Sequence, residues 1–367
     1  MKLEQVLKKE ALTKEELLFL MNLEAEADLA ALYEAAYEVK AKYVQRKAYY
    51  RGLIEFSNRC MKDCLYCGIR SDNSGVERFE MTQEEILDRA RWAYENRYGS
   101  VTLQSGERTD TGFIGFVADT IQKIKGIGDG SLGITLCLGE QERETYQKWF
   151  DAGAHRYLLR IETTNPALYQ KIHPDNELHR FEKRVACLGL LKEVGYQVGT
   201  GVMIGLPGQT AEDLVNDILF YEKMDIDMIG MGPYVLHRET PLGRDVIAAG
   251  LDSEEEKARR FTLGLKMIAI TRLYLKNVNI AATTALQALN PLGRELGLKA
   301  GANILMPIIT LDEHRAKYQL YDDKPCIDDD AEKCKTCLTG RVMSVGDEVG
   351  FAEWGDSPHF KGMPKGL

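Results

Sequence analysis

The chain has 367 residues, 44% of them hydrophobic, with 47 basic side chains against 56 acidic ones, a net charge of -9 and a pI near 5.4. That length suits one large α/β barrel or two ordinary domains, and the absence of a basic stripe or a long run of like charge argues against nucleic acid as a partner. The charged start Met1-Lys2-Leu3-Glu4 does not resemble a secretory leader and no apolar run approaches the length of a bilayer span, so a cytoplasmic protein with no membrane association is expected.

Residues 1–45 read as helices. Thr13-Lys14-Glu15-Glu16 has the form of a capping box, and the apolar stripe Leu17, Leu18, Leu20 and Met21 that follows has helical spacing. From Leu53 onward short apolar segments alternate with longer amphipathic ones, which predicts repeated βα units and a parallel sheet. The predicted strands are 53–56, 101–103, 134–138, 157–161, 197–203, 228–230, 280–282 and 303–305. Helices are predicted over 83–96, capped by Thr82 with Glu85, and over 211–224, capped by Thr210 with Asp213. Eight strands with interleaved helices predict a (β/α)8 barrel of the TIM type, with its active site at the C-terminal ends of the strands. The expected organisation is an N-terminal helical extension over 1–45, the barrel over 46–321 and a C-terminal extension over 322–367.

The loop after the first predicted strand carries Cys60, Cys64 and Cys67, spaced C-x3-C-x2-C. A structural zinc site or an ordinary ferredoxin centre takes four protein ligands, so a tight trio points to a metal cluster with one iron left open to a substrate. A zinc ribbon would need a second knuckle close by in space. A second group, Cys326, Cys334 and Cys337, is spaced C-x7-C-x2-C around the acidic run Asp328-Asp329-Asp330, and either zinc or a second iron-sulfur cluster fits it. Six of eight cysteines in two trios suit metal ligation in a reducing compartment better than disulfides. Cys137 and Cys187 are expected to be buried small hydrophobes.

The first trio, with Tyr66 before its last cysteine, resembles the signature of the radical SAM superfamily. The resemblance implies that Cys60, Cys64 and Cys67 hold a 4Fe-4S cluster whose fourth iron is chelated by S-adenosylmethionine, and that an electron from the cluster cleaves the sulfonium to give a 5′-deoxyadenosyl radical. It also assigns cofactor contacts. Gln104, Ser105, Gly106 and Glu107 at the end of the second strand resemble the segment that meets the cofactor's amino group, and Glu162 and Arg184 are expected near its ribose, ammonium or carboxylate, together with Tyr66. A salt bridge between neighbours is the plain alternative for the Arg160-Ile161-Glu162 segment. Gly201-Val202-Met203-Ile204-Gly205-Leu206-Pro207-Gly208-Gln209-Thr210 resembles the stretch that flanks the adenine, and it lacks the Gly-Lys-Ser/Thr ending of a phosphate-binding loop.

Within the superfamily, 52–58 and Cys64-Leu65-Tyr66-Cys67-Gly68-Ile69-Arg70 resemble the FeFe-hydrogenase maturase family HydE and its relative methylornithine synthase, with biotin synthase more distant. Thr135 and Gly199 stand where biotin synthase has cysteines for a sacrificial cluster, which disfavours sulfur insertion, and the C-terminal trio favours HydE. That resemblance implies hydrogenase maturation: assembly of the diiron subcluster of the H-cluster from an iron dicarbonyl cyanide bound to cysteine, a small organometallic substrate. Arg156 and Arg160 would hold its charges, Thr135, Thr283 and Thr284 would donate hydrogen bonds, and Met228, Tyr318 and Tyr321 would wall the site. Sister maturases and an electron donor are the implied partners, and a monomer is expected. Two other readings stand beside it: a methylornithine synthase-like lysine mutase, and a non-catalytic iron-sulfur scaffold.

Overall fold

The structure, a computed structural model, describes residues 1–326 and 331–360, the side chains of 332–334 excepted. Eight parallel strands form the core: β1 (Lys47–Ser57), β2 (Ser100–Ser105), β3 (Gly133–Cys137), β4 (Arg156–Leu158), β5 (Gln197–Thr200), β6 (Met228–Ile229), β7 (Asn279–Ile280) and β8 (Ile304–Leu305). From β1 to β7 each pairs with the next, and β8 pairs with β1 through Tyr49 and Ile304. The remaining seam is bridged by Ala281 and Ile304, with Asn303 N–H donating to the Ile280 carbonyl and Ala282 N–H to the Ile304 carbonyl, both at 2.9 Å. The result is the expected barrel, with helices outside.

β4 and β5 each end three residues earlier than their apolar runs predict. β4 stops at Leu158 because the Thr200 hydroxyl then takes over the ladder, donating to the Leu159 carbonyl at 2.8 Å and accepting from Ile161 N–H at 3.1 Å. β5 stops at Thr200 because Gly201 passes so close to the next strand that a Cβ there would lie 2.3 Å from the Gly230 carbonyl oxygen. The chain then pairs Met203–Ile204 with Gly232–Pro233 in a separate two-stranded ribbon above the barrel. Both departures open the rim over β4 and β5.

The three predicted capping boxes form: Thr13 with Glu16, Thr82 with Glu85, and Thr210 with Asp213. Helix Lys14–Met21 buries Leu17, Leu20 and Met21 against the barrel's outer helices. Helix Glu26–Tyr43 reaches the other terminus through a fully buried ion pair between Lys40 and Asp347.

The sequence gives no sign of how the barrel floor is sealed. A ninth strand, β9 (Glu348–Val349), adds to the start of β1, and residues 354–357 then cross under the barrel. Arg156 donates to the Trp354 carbonyl at 2.8 Å and to Asp356 at 2.7 Å, while Asn279 donates to the Gly355 carbonyl at 2.8 Å. Gly355 has φ +64° and packs on Tyr49, whose ring would lie 2.4 Å from any Cβ, so no other residue fits that turn. Among the described residues no helix is long and apolar enough to cross a membrane.

Candidate active site

β1 is the longest barrel strand, with 11 residues, and its last turn of chain delivers the first cysteine trio to the C-terminal rim. The loop is built around the end of β2. Gly106 N–H donates to the Ser57 carbonyl, Met61 N–H to the Glu107 carbonyl, and Glu107 N–H to the Cys60 sulfur at 3.3 Å. A Cβ at Gly106 would lie 2.4 Å from the Arg59 carbonyl oxygen and 2.7 Å from Cys60 Cβ, so only glycine lets the two loops meet.

Cys64 and Cys67 are enclosed by protein, and that burial pushes the Cys64 thiol up to about 12 and the Cys67 thiol well above its ordinary value. Yet Cys64, Cys67, Tyr66, Cys137 and Tyr321 all retain accessible surface. These side chains therefore border open space at the C-terminal rim of the barrel, beside the trio. Three buried thiols need cations beside them to ionise, and iron would supply that charge.

Charged side chains brace the trio from behind. Lys62 Nζ, inside the loop, lies 2.9 Å from Glu140 and 3.2 Å from Glu107. Glu140 also binds Arg184, which donates to the Arg160 carbonyl at 2.7 Å. All four side chains are buried. Burial pushes the Glu107 carboxyl up against the pull of Lys62 and Arg184. For Glu140 burial acts the same way but is outweighed by Arg184 and Lys62, which hold it below the ordinary carboxylate range. The Glu107 carboxylate thus faces Lys62, while its backbone faces the cluster loop. Tyr66 is steadied by His173, whose Nε2 lies 3.4 Å from the phenol oxygen.

The β4 rim carries Arg160 and Glu162, two residues apart and 2.9 Å from each other. Glu162 stands at φ +68°, a conformation costly for a side chain other than glycine. Glu162 Oε2 has the Arg160 Nη2 ion pair but no well-aligned hydrogen bond, and Arg160 Nε is buried without a hydrogen-bond partner. An orphaned guanidinium N–H at the rim fits a polar ligand.

On the other wall Tyr318 accepts from Gln104 Nε2 at 3.3 Å, and Tyr321 bonds Thr284. Thr283 Oγ1 has no hydrogen-bond partner and lies so near Gly232 that a Cβ there would be 2.5 Å away. Gln104, Arg160, Glu162, Thr283, Thr284, Tyr318 and Tyr321 thus belong to the upper half of the barrel. Arg156, Thr135 and Met228 do not join them. Arg156 Nε donates to Thr135 at 3.0 Å while its other end binds the floor segment, and Met228 sulfur lies 3.0 Å from Arg51. A 20 Å3 cavity lies among Arg51, Thr135, Met228 and Asn279 in this lower layer.

In the C-terminal group, Cys337 is exposed on helix Ala331–Ser344 and accepts from Arg341 Nε at 3.3 Å, and Cys326 stands at φ +65°. The side chain of Cys334, like Asp328, Asp329 and Asp330, lies outside the described residues. Cys187 is buried as expected, whereas Cys137, the last residue of β3, keeps accessible surface. Sequence reasoning missed Lys62, Glu140 and Cys137. A signal existed for one of them: Gly139-Glu140 at the end of β3 repeats the Gly106-Glu107 pattern at the end of β2.

The profile of the Radical SAM superfamily matches residues 54–221. Over 326 residues the chain is 45% identical to the "[FeFe] hydrogenase maturase subunit HydE" of Thermotoga maritima, covering 89% of this chain and 88% of that protein. It is 25% identical to the 3-methylornithine synthase of Methanosarcina acetivorans, over 87% of this chain and 86% of that one. The crystal structure of methylornithine synthase superposes with a TM-score of 0.79 at 24% identity, covering 95% of this chain and 97% of that structure.

Proposed function

The chain belongs to the radical SAM superfamily and, within it, to the HydE family, and from that premise we propose that it matures the FeFe-hydrogenase cofactor by acting on an iron dicarbonyl cyanide bound to cysteine. The single observation that carries this reading is the 45% identity to a HydE protein across nearly the whole of both chains. A radical SAM enzyme carries a 4Fe-4S cluster and S-adenosylmethionine, which together supply a 5′-deoxyadenosyl radical.

The residues have distinct tasks in this reading. Cys60, Cys64 and Cys67 hold the cluster, with Lys62 and Arg184 balancing charge behind it. The rim formed by Gln104, Ser105, Gly106 and Glu162 receives the cofactor's ammonium and ribose, and Tyr66 walls it. Arg160, whose Nε has no hydrogen-bond partner, takes the carboxylate or cyanide of the substrate, with Thr283, Thr284, Tyr318 and Tyr321 around it. Arg156, Thr135 and Met228 set the depth of the cavity from below. Enclosing walls keep water and stray hydrogen donors away from a reactive carbon centre. The C-terminal trio holds a second iron-sulfur cluster, and sister maturases and an electron donor work with a monomer in the cytoplasm.

The test is formation of 5′-deoxyadenosine-containing product by the anaerobically reconstituted, reduced protein. Turnover with the iron dicarbonyl cyanide cysteine complex and not with lysine supports the maturase; turnover with lysine moves the chain to the mutase branch. Failure to cleave S-adenosylmethionine with a full cluster present would leave a scaffold.

A further inference from the structure

The left-handed backbone at Glu162 is fixed from both sides. Before it, Glu162 N–H donates to the Gly201 carbonyl at 3.0 Å, and Met203 N–H returns a bond to the Glu162 carbonyl at 2.9 Å. After it, both Thr164 N–H and the Thr164 hydroxyl donate to one oxygen of Asp217, at 2.8 and 2.6 Å. The next residue, Asn165, donates to Asp213 at 2.8 Å. Asp213 and Asp217 lie one turn apart on helix Ala211–Lys223, and Asp213 also closes that helix's capping box with Thr210. The register of the helix against the β4 rim is therefore set at its first turn.

Asp217 is fully buried, and no cation lies among its partners in the described residues. An apolar residue would cost less there if the position served only packing. Among the described residues its second oxygen has no hydrogen-bond partner, so the hydrogen bonds the side chain makes there are those it accepts from Thr164. We propose that Asp217 is a positioning residue for the cofactor: by anchoring Thr164 it holds Glu162 in the conformation that presents its carboxylate at the barrel mouth. The inference rests on the reading of Glu162 as a cofactor contact. The Thr164 bonds call for an acceptor at one oxygen, which a neutral side chain can also supply, and burial pushes the Asp217 carboxyl up to about 7 against those bonds. Asparagine keeps that acceptor; leucine removes it.

The experiment measures the dissociation constant of S-adenosylmethionine on the cluster-loaded protein, and amide exchange over 161–165 in the same protein without S-adenosylmethionine. Asp217→Leu is expected to weaken binding about 10- to 100-fold, the usual effect of removing a residue that orients a ligating group. It should also speed exchange of the Thr164 amide, while Asp217→Asn stays near wild type in both. Thr164→Ala, at a partly exposed position that loses only the hydroxyl, should lie between them and carries the test if the leucine variant does not fold. Wild-type affinity in both Asp217→Leu and Thr164→Ala, or equal damage from Asp217→Asn and Asp217→Leu, overturns the proposal. Glu162→Gln separates the two levels. Unchanged affinity in that variant sinks the reading of Glu162 and this inference with it; weakened affinity there with intact Asp217 and Thr164 variants sinks the inference alone.

Discussion

Lys324 Nζ lies 2.6 and 2.8 Å from the two carboxylate oxygens of Glu55, inside the barrel mouth, although the residues stand 269 positions apart. Glu55 is on β1, five residues before Cys60, and Lys324 is two residues before Cys326, so one buried ion pair links the stems of the two cysteine groups. Lys324 also donates to the Tyr318 carbonyl at 2.9 Å, which seats the tyrosine that accepts from Gln104.

Removing one partner should expose what the pair contributes. Lys324→Met leaves the Glu55 carboxyl buried without its ion-pair partner and is expected to destabilise by about 3–5 kcal/mol, whereas Lys324→Met combined with Glu55→Leu recovers most of the loss. Denaturant unfolding of the two single variants and the double variant closes the cycle. Additive losses would mean that the two groups do not interact.

The two cysteine groups should separate by function. Alanine at Cys60, Cys64 or Cys67 is expected to abolish cleavage of S-adenosylmethionine and to remove one cluster's iron, because each substitution takes away one of its three protein ligands. Alanine at Cys337 should lower the iron content and leave cleavage intact. Cleavage retained in any variant of the first trio contradicts its assignment as ligand, and cleavage lost in a folded Cys337→Ala protein gives the second group a direct catalytic part.

The barrel was legible because its strands are apolar runs punctuated by Gly, Asn and Asp, and the three capping boxes because they are local patterns of four residues. The rim over β4 was not. There the strand ends where the hydroxyl of Thr200, 39 residues downstream, takes the place of a backbone partner, and no local propensity encodes that. The cysteine trio announced itself through spacing, but Lys62 and Glu140 became visible only once the fold set them 2.9 Å apart across 78 residues. Arg156 and Arg160 look alike in sequence as flanks of one strand; geometry divides them, since four residues along a barrel strand lead from floor to mouth.

Arg184 joins Glu140 behind the cluster loop to the Arg160 carbonyl on the β4 rim, a task that needs donors pointing two ways at once. Arg184→Lys keeps the charge and loses the fork. The affinity for S-adenosylmethionine should fall about 10- to 100-fold with cluster content unchanged, the pattern of a lost orienting group. Equilibrium binding and iron analysis on the same sample decide it. Unchanged affinity would confine Arg184 to charge balance, and loss of iron would tie it to the cluster instead.

The barrel floor should make the protein sensitive to acid. Burial alone would raise the Asp356 carboxyl, but the His155 hydrogen bond and the Arg156 guanidinium outweigh it and hold the group well below the usual carboxylate range. Burial likewise lowers His155 to about 4, helped by Arg156. The signs agree. Between about pH 6.5 and 4 the unfolded chain takes up a proton at His155 that the folded chain refuses, so stability falls as pH falls. Below about pH 4 the unfolded chain also protonates Asp356 first, and the stability that this carboxylate contributes is lost as pH drops further toward its folded value. Thermal midpoints followed from pH 8 to pH 3 should therefore decline in wild type. His155→Gln should flatten the upper part of that decline and Asp356→Asn the lower part, with Asp356→Asn already less stable at pH 8 because Arg156 loses its counter-charge. A decline identical in all three proteins would place the acid-sensitive groups elsewhere than the floor.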